Sequence, residues 1–204
     1  MTKGSDTRNA LLAAGRELFT AHGYRGASVR AITRKAGANL GAVTYHFGSK
    51  EALYGAVLGS VVEPFRDHLT EVAQRPGAPT ERIERVVQAF FSYLQEHPAL
   101  PALMVQHLAS ATPLPAGARR VLEGNLELLA GIIALGQLDG SIRRGDPRLM
   151  ALSIVAQPIW LTLVRRVLHE AVGFDQRDRR MRAALVDSVL DFVRAALAPH
   201  PQQA

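Results

Sequence analysis

Between Ser28 and Lys50 the chain carries hydroxyl, guanidinium, amide, imidazole and ammonium groups at spacings that suit contact with a nucleic-acid duplex. Ser28 reads as a helix N-cap, where its hydroxyl or the open amides of the first turn can meet a phosphate. Arg30 points outward between Val29 and Ile32 and can reach a phosphate or a guanine edge. Asn39, Leu40, Gly41 and Ala42 open the following helix and should face a groove floor; Gly41 and Ala42 permit close approach, and Ala42 can touch a thymine methyl. Thr44, Tyr45 and His46 offer hydroxyl and imidazole groups to phosphate oxygens, and Lys50, in the first turn of the next helix, suits another phosphate. Plainer uses stand beside these. Tyr45 also suits packing on a preceding helix, Asn39 a simple helix cap, and Arg34 and Lys35 solvated surface charges.

Such groups must be held by two short helices around a tight turn. Val29, Ile32 and Ala36 recur at helical spacing, Gly37 breaks the period, and Val43 and Phe47 resume it one helix later, over Leu40 to Phe47. A pair this short cannot bury its own faces, and Asn9 to His22 supplies a third helix. Its stripe of Ala10, Leu11, Ala14, Leu18, Phe19 and Ala21 is terminated by Gly23. Residues 28 to 54 therefore have the layout of a DNA-reading helix-turn-helix.

Charge agrees with this placement. Residues 1 to 50 hold eight Lys or Arg against two acids, a local balance of +6, which is the net charge of the whole protein. The other three quarters of the chain are neutral. Cationic charge concentrated in one quarter is what phosphate contact requires.

Beyond that quarter the pattern is helical throughout, and the fold expected is all-α with about nine helices. Residues 1–50 form a three-helix DNA-binding domain and 51–204 a helical effector-binding and dimerisation domain. Ser49 should cap a long fourth helix running toward Arg75, with Pro64 as a kink. The segment 75–79 reads as a linker, after which Thr80 caps a helix bearing Ile83, Val86, Val87, Phe90, Phe91 and Leu94. Further helices are expected from about Pro101 to Ser110 and from Ala116 to Leu138. Asp146 and Pro147 give an N-cap and a first-position proline for a helix carrying Leu149, Leu152, Val155, Ile159, Trp160, Leu163 and Val167. The last helix, near Arg177 to Leu197, has a stripe through Met181, Leu185, Val189 and Phe192. Periodicity alone leaves these last two as either core helices of a monomer or halves of a two-fold four-helix interface. A single small helix-turn-helix needs a two-fold partner to reach half-sites about 34–36 Å apart, which favours a homodimer through Val155, Ile159, Leu163, Leu185, Val189 and Phe192.

The motifs are specific enough to name a resemblance. Phe19, Gly23, Tyr24, Ser28, Val29, Ile32, Ala36 and Gly37, followed by the run YHFGSKEALY from Tyr45 to Tyr54, resemble the DNA-binding domain of TetR-family transcriptional regulators. The stretch ANLGAVTYHFGSKEALY further resembles the CerR-like branch. The resemblance implies the same DNA-contacting roles for Ser28, Arg30, Asn39, Gly41, Thr44, Tyr45, His46 and Lys50. One departure is Thr44, which stands where many members have tyrosine and whose shorter hydroxyl reaches less far. The resemblance also implies a dimer on a palindromic operator, repression as the sign of control, and a small-molecule effector in the carboxy-terminal domain. Phe90, Phe91, Tyr93, Leu94, Leu103, Met104, His107, Gln157 and Trp160 are the candidate lining, since they mix aromatic surface with a few polar groups. Each of the apolar ones also suits ordinary core.

Other classes fare worse. The chain has no cysteine, which removes disulfides, thiolate metal sites and cysteine nucleophiles. Its seven histidines, His22, His46, His68, His97, His107, His169 and His200, show no metal-ligand spacing, and no phosphate-binding or nucleophile-elbow motif occurs. No metal, no cofactor beyond the effector and no catalysis are expected. The amino terminus lacks the apolar run of a signal peptide, and the apolar stretch 149–164 is shorter than the roughly 18 residues of a membrane span. A cytoplasmic, nucleoid-associated protein without membrane contact is expected. The rival reading is a basic helical adaptor that binds acidic partners or nucleic acid without sequence preference.

Overall fold

The computed structural model of the chain describes residues 3–110 and 113–199. Among the described residues there are ten helices and no strand: α1 (Lys3–Gly26), α2 (Val29–Lys35), α3 (Ala42–Phe47), α4 (Lys50–Gln74), α5 (Pro79–Glu96), α6 (Ala99–Ser110), α7 (Ala116–Leu138), α8 (Pro147–Leu163), α9 (Arg165–Val172) and α10 (Arg179–Leu197). They form two compact units, the first made of residues 1–64 and 98–121, the second of 65–97 and 122–204. His200, one of the histidines considered above, lies outside the described residues.

In the first unit, α1, α2 and α3 meet around Leu11, Ala14, Phe19, Ile32, Ala42 and Val43, all buried. Burying side chains the size of Phe19 or Ile32 contributes about 1.5–3 kcal/mol each. Gly15 lets α4 approach α1, since a Cβ there would already touch Val57 at 3.2 Å. The period of α1 breaks at Gly23, whose φ of 68° is left-handed, and one more turn follows to Gly26. α6 lies along α1 at this break. A Cβ on Gly23 would stand 2.7 Å from the Gln106 side-chain oxygen.

In the second unit α5 packs against α8 and α10. Phe65, the first residue of this unit, sets its ring edge-on against Phe90 with centroids 4.6 Å apart. Arg194 of α10 grips Glu84 of α5 through two bonds of 2.7 Å each. Arg143 ties the α7–α8 connection to the end of α10: its backbone N–H donates to the Leu197 carbonyl at 2.9 Å. Asp146 caps α8 by accepting from the Arg148 and Leu149 amides, with Pro147 at the first position, as the sequence requires.

Two local expectations change in the second unit. Thr80 does not cap α5. The helix starts one residue earlier at Pro79, after Ala78, whose N–H donates to Glu81. The apolar helix expected to run past Val164 breaks there, and α9 leaves α8 at 64°, which gives ten helices rather than nine. α7 is, with its 23 residues and a mean hydropathy of 1.4 in its most apolar window, long and apolar enough to cross a membrane by those two criteria alone. Its Leu129, Ile132 and Ile133 are buried within the protein.

Candidate nucleic-acid interface

The turn between α2 and α3 is fixed by its backbone. Ala36 ends α2 with its N–H on the Ile32 carbonyl at 2.9 Å, Gly37 adopts φ 64°, and the Ala38 N–H returns to the Thr33 carbonyl at 2.9 Å. Thr33 is buried and bonds its hydroxyl back to Val29 at 3.0 Å, so its polar group is satisfied inside the helix. Ser28 caps α2 as expected, its hydroxyl accepting the Ala31 N–H at 3.1 Å. Ser49 does the same for α4 with the Ala52 N–H.

With the turn held, most of the residues singled out above lie at the surface of the first unit. Ser28, Arg30, Asn39, Gly41 and Thr44 are exposed, Leu40 is 63% exposed and Tyr45 84%. His46 and Lys50 are half-buried. Tyr45 therefore does not pack on α1; its ring stands edge-on to His46, with centroids 4.9 Å apart. The N-cap position of α3 is Gly41, with no side-chain hydrogen bond, so Asn39 does not serve as the cap. Lys35 pairs with Glu17 of α1 at 2.7 Å and behaves as the surface charge it could equally have been.

Ala42 is the exception and a correction. It is 6% exposed and faces the core with Val43, so its methyl cannot lie on a groove floor. Helical phase explains this. α3 begins at Ala42, and two adjacent residues at its start are needed to close over Ile32, which leaves Leu40 and Gly41 in the turn before it as the exposed leading edge.

Two cation–π contacts were not anticipated. The Lys50 ammonium lies 4.6 Å from the centroid of the Tyr24 ring, and the Arg8 guanidinium lies 5.1 Å from that of Phe47. Burial, and after it the nearby Glu51 carboxylate, raise the Tyr24 pKa. Burial draws the Lys50 pKa below its ordinary value, with Glu51 opposing. Tyr24 in turn touches Tyr54, centroids 5.1 Å apart, and the Tyr54 hydroxyl meets Nδ1 of His107 on α6 at 3.3 Å. A run of side chains thus leads from α6 to Lys50 within the first unit. Helical periodicity gives no signal for such pairs, because they join elements that the sequence does not place side by side.

The candidate effector residues separate. Leu103, Met104 and His107 belong to the first unit and the other six to the second. Phe90, Tyr93, Leu94 and Leu103 are buried, Trp160 is 64% exposed, and Gln157 lines a groove of about 260 Å³ between α8 and α10. Phe91 lines a larger hollow of about 1150 Å³ among α5, α9 and α10, together with Leu185. Of the residues assigned to a dimer interface, Val155, Ile159, Leu163 and Leu185 are partly exposed and Phe192 is 63% exposed. Val189, at 5%, is turned into the core of its own protomer.

Residues 11–57 match the family model described as bacterial regulatory proteins, tetR family, and residues 79–193 match that of the tetracyclin repressor-like C-terminal domain. The chain is 40% identical over 55 residues to the HTH-type transcriptional repressor AcnR of Corynebacterium glutamicum, a match covering 27% of this chain and 29% of that protein. It is 26% identical over 200 residues to the HTH-type transcriptional repressor NicS of Pseudomonas putida, covering 94% and 92%. The fold is shared with the transcriptional regulator FadR of Bacillus subtilis, solved in complex with stearoyl-CoA, at a TM-score of 0.76 and 22% identity, over 93% of this chain and 98% of that one. These matches carry an assignment to a family and not to a branch of it. The carboxy-terminal match alone takes in more than half of the chain, the amino-terminal one falls on the helix-turn-helix, and the protein belongs to the TetR family of bacterial regulators.

Proposed function

We propose that the protein is a ligand-responsive transcriptional regulator, a repressor that binds a palindromic operator in double-stranded DNA as a homodimer and leaves it when a small-molecule effector binds. The observation that carries this reading is the exposed edge of the helix-turn-helix, with Leu40 and Tyr45 held out from a rigid three-helix core in the one basic quarter of the chain. Residues 1–50 read DNA and 51–204 sense and dimerise. Leu40, Gly41 and Asn39 meet base edges; Ser28, Arg30, Thr44, Tyr45, His46 and Lys50 hold the backbone. The apolar surface left open on α8 and α10, with Leu149, Leu152, Trp160 and Phe192 exposed, supports the dimer.

Control requires that the effector bind the DNA-incompetent arrangement more tightly, since equal affinity for both would shift nothing. The path from α6 through His107, Tyr54 and Tyr24 to Lys50 is a physical route for that preference to reach the DNA contacts. FadR and NicS support an effector and repression respectively. The protein acts in the cytoplasm, at the nucleoid, and performs no catalysis.

The test is selection of bound duplexes from a random DNA pool, followed by a salt titration on the winner. A recovered palindrome bound at least about a thousandfold more tightly than scrambled DNA supports the reading. Weak binding to every duplex, lost steeply with salt, overturns it in favour of a non-specific basic adaptor.

A further inference from the structure

The hollow of about 1150 Å³ in the second unit carries a charge pattern that reading DNA does not use. Its wall includes Arg165, Arg166, Arg177, Arg179 and Arg182 with His169, against only Asp175 and Asp187. Residues 51–204 as a whole are neutral, so this is a local excess of positive charge. Their cations are all arginine, with no lysine beyond Lys50. A guanidinium offers a planar fork of donors that matches phosphate and carboxylate oxygens in pairs.

Two of the five heads are already engaged. Arg166 pairs with Glu170 at 2.7 Å, and Arg177 holds both oxygens of Asp175, drawing that carboxyl down to about 2. Arg182 makes one long bond of 3.4 Å to the Gln176 carbonyl. Arg165 and Arg179 have no ion pair or hydrogen bond among the described residues. The arginines are not on a loose loop. Gly173 ends α9 in a left-handed turn, Gln176 donates to the Leu161 carbonyl of α8 at 2.8 Å, and Asp178 caps α10. Beside them lie Phe91, Ala183, Leu185 and Val186, an apolar surface far larger than an inorganic ion could use. The volume is somewhat above the roughly 300–1,000 Å³ usual for small-molecule sites, so a ligand would fill part of it.

We propose that this hollow is a binding site for a small organic polyanion, its phosphate or carboxylate charges on Arg165, Arg179 and Arg182 and its body against Phe91 and Val186. That its occupancy controls DNA binding rests on the regulator reading above; that it binds at all does not. Neither Arg165 nor Arg179 makes a hydrogen bond or ion pair through its guanidinium among the described residues, and both are exposed, so replacing them is expected to leave the fold intact.

The experiment is isothermal titration of the full-length protein with ADP, with citrate and with uncharged adenosine, in low salt. Titrations are repeated on the double variant Arg165→Gln/Arg179→Gln and on Lys50→Ala, and DNA binding without additive is measured for each. Saturable binding of ADP or citrate, weakened about tenfold or more in the double variant and unchanged in Lys50→Ala, with no binding of adenosine, is expected. Whichever of ADP and citrate binds identifies phosphate or carboxylate as the charge. Binding of neither, binding indifferent to the two arginines, or binding lost in Lys50→Ala because the anion sits on the reading head would overturn the proposal. Normal operator binding by the double variant in any of these cases leaves the regulator reading intact.

Discussion

Lys50 lies across the ring of Tyr24, and under the proposed reading it also meets a phosphate. A cation–π contact of this kind is worth about 0.5–1 kcal/mol and restricts the rotamers open to the side chain. Lys50→Ala should weaken binding to every duplex and lower the salt slope by about one phosphate contact, read by fluorescence anisotropy across a salt series. Tyr24→Ala should lose several-fold in affinity while Tyr24→Phe, which keeps the ring, stays close to wild type. His107 gives a pH dependence of a definite sign. Burial lowers its pKa, so the folded protein binds fewer protons here than the unfolded chain. The stability it contributes is complete above about pH 6.5 and is lost as pH falls below that value. Urea titrations at pH 5.5 and 7.5 should show a larger acid loss in the wild type than in His107→Gln.

At the scale of elements, α7 and the turn after it show how little room some positions leave. A Cβ on Gly136 would stand 2.5 Å from Cδ1 and 3.1 Å from Cβ of the buried Ile142, whose N–H bonds the Gly136 carbonyl at 2.8 Å. Gly136→Ala should therefore cost about 1–3 kcal/mol, visible as a lower urea midpoint with an unchanged slope. Most elements were legible in the chain because caps and breakers mark their ends. Asp146–Pro147 begins α8, Ser28 and Ser49 cap α2 and α4, and α7 runs between the predicted residues. The break at Val164 was not legible, since no glycine or proline marks it and apolar residues continue through it. The Ala42 error has a similar source. α3 has only six residues and starts at Ala42, two positions after the expected Leu40, which is enough to put Ala42 in the core rather than on the leading edge. The contacts of Tyr24 with Lys50 and of His107 with Tyr54 join residues far apart in sequence or on different faces of a junction, and only the folded arrangement shows them.

For the whole molecule, assembly is the property that gives one small reading edge its reach. Phe192, 63% exposed on α10, is the clean test of the proposed interface, because Val189 is core and a charge there would damage the protomer itself. Phe192→Glu should sediment as a monomer with an unchanged helical circular-dichroism spectrum, and should bind an operator half-site far more weakly than the dimer binds the palindrome. A dimer that persists would place the interface elsewhere. One property of the first unit also bears on how this protein is made. Its chain leaves at Pro64 and returns at Pro98 with α6, which seats Gln106 against Gly23 and brings His107 to Tyr54. A nascent chain that has emerged only as far as Pro64 therefore carries α1, α2 and α3 with the α1 surface bare. Completion of the reading head waits for more than thirty further residues to be synthesised, several seconds at about 5–20 residues per second, and a fragment cut at residue 64 would stay at that unfinished stage.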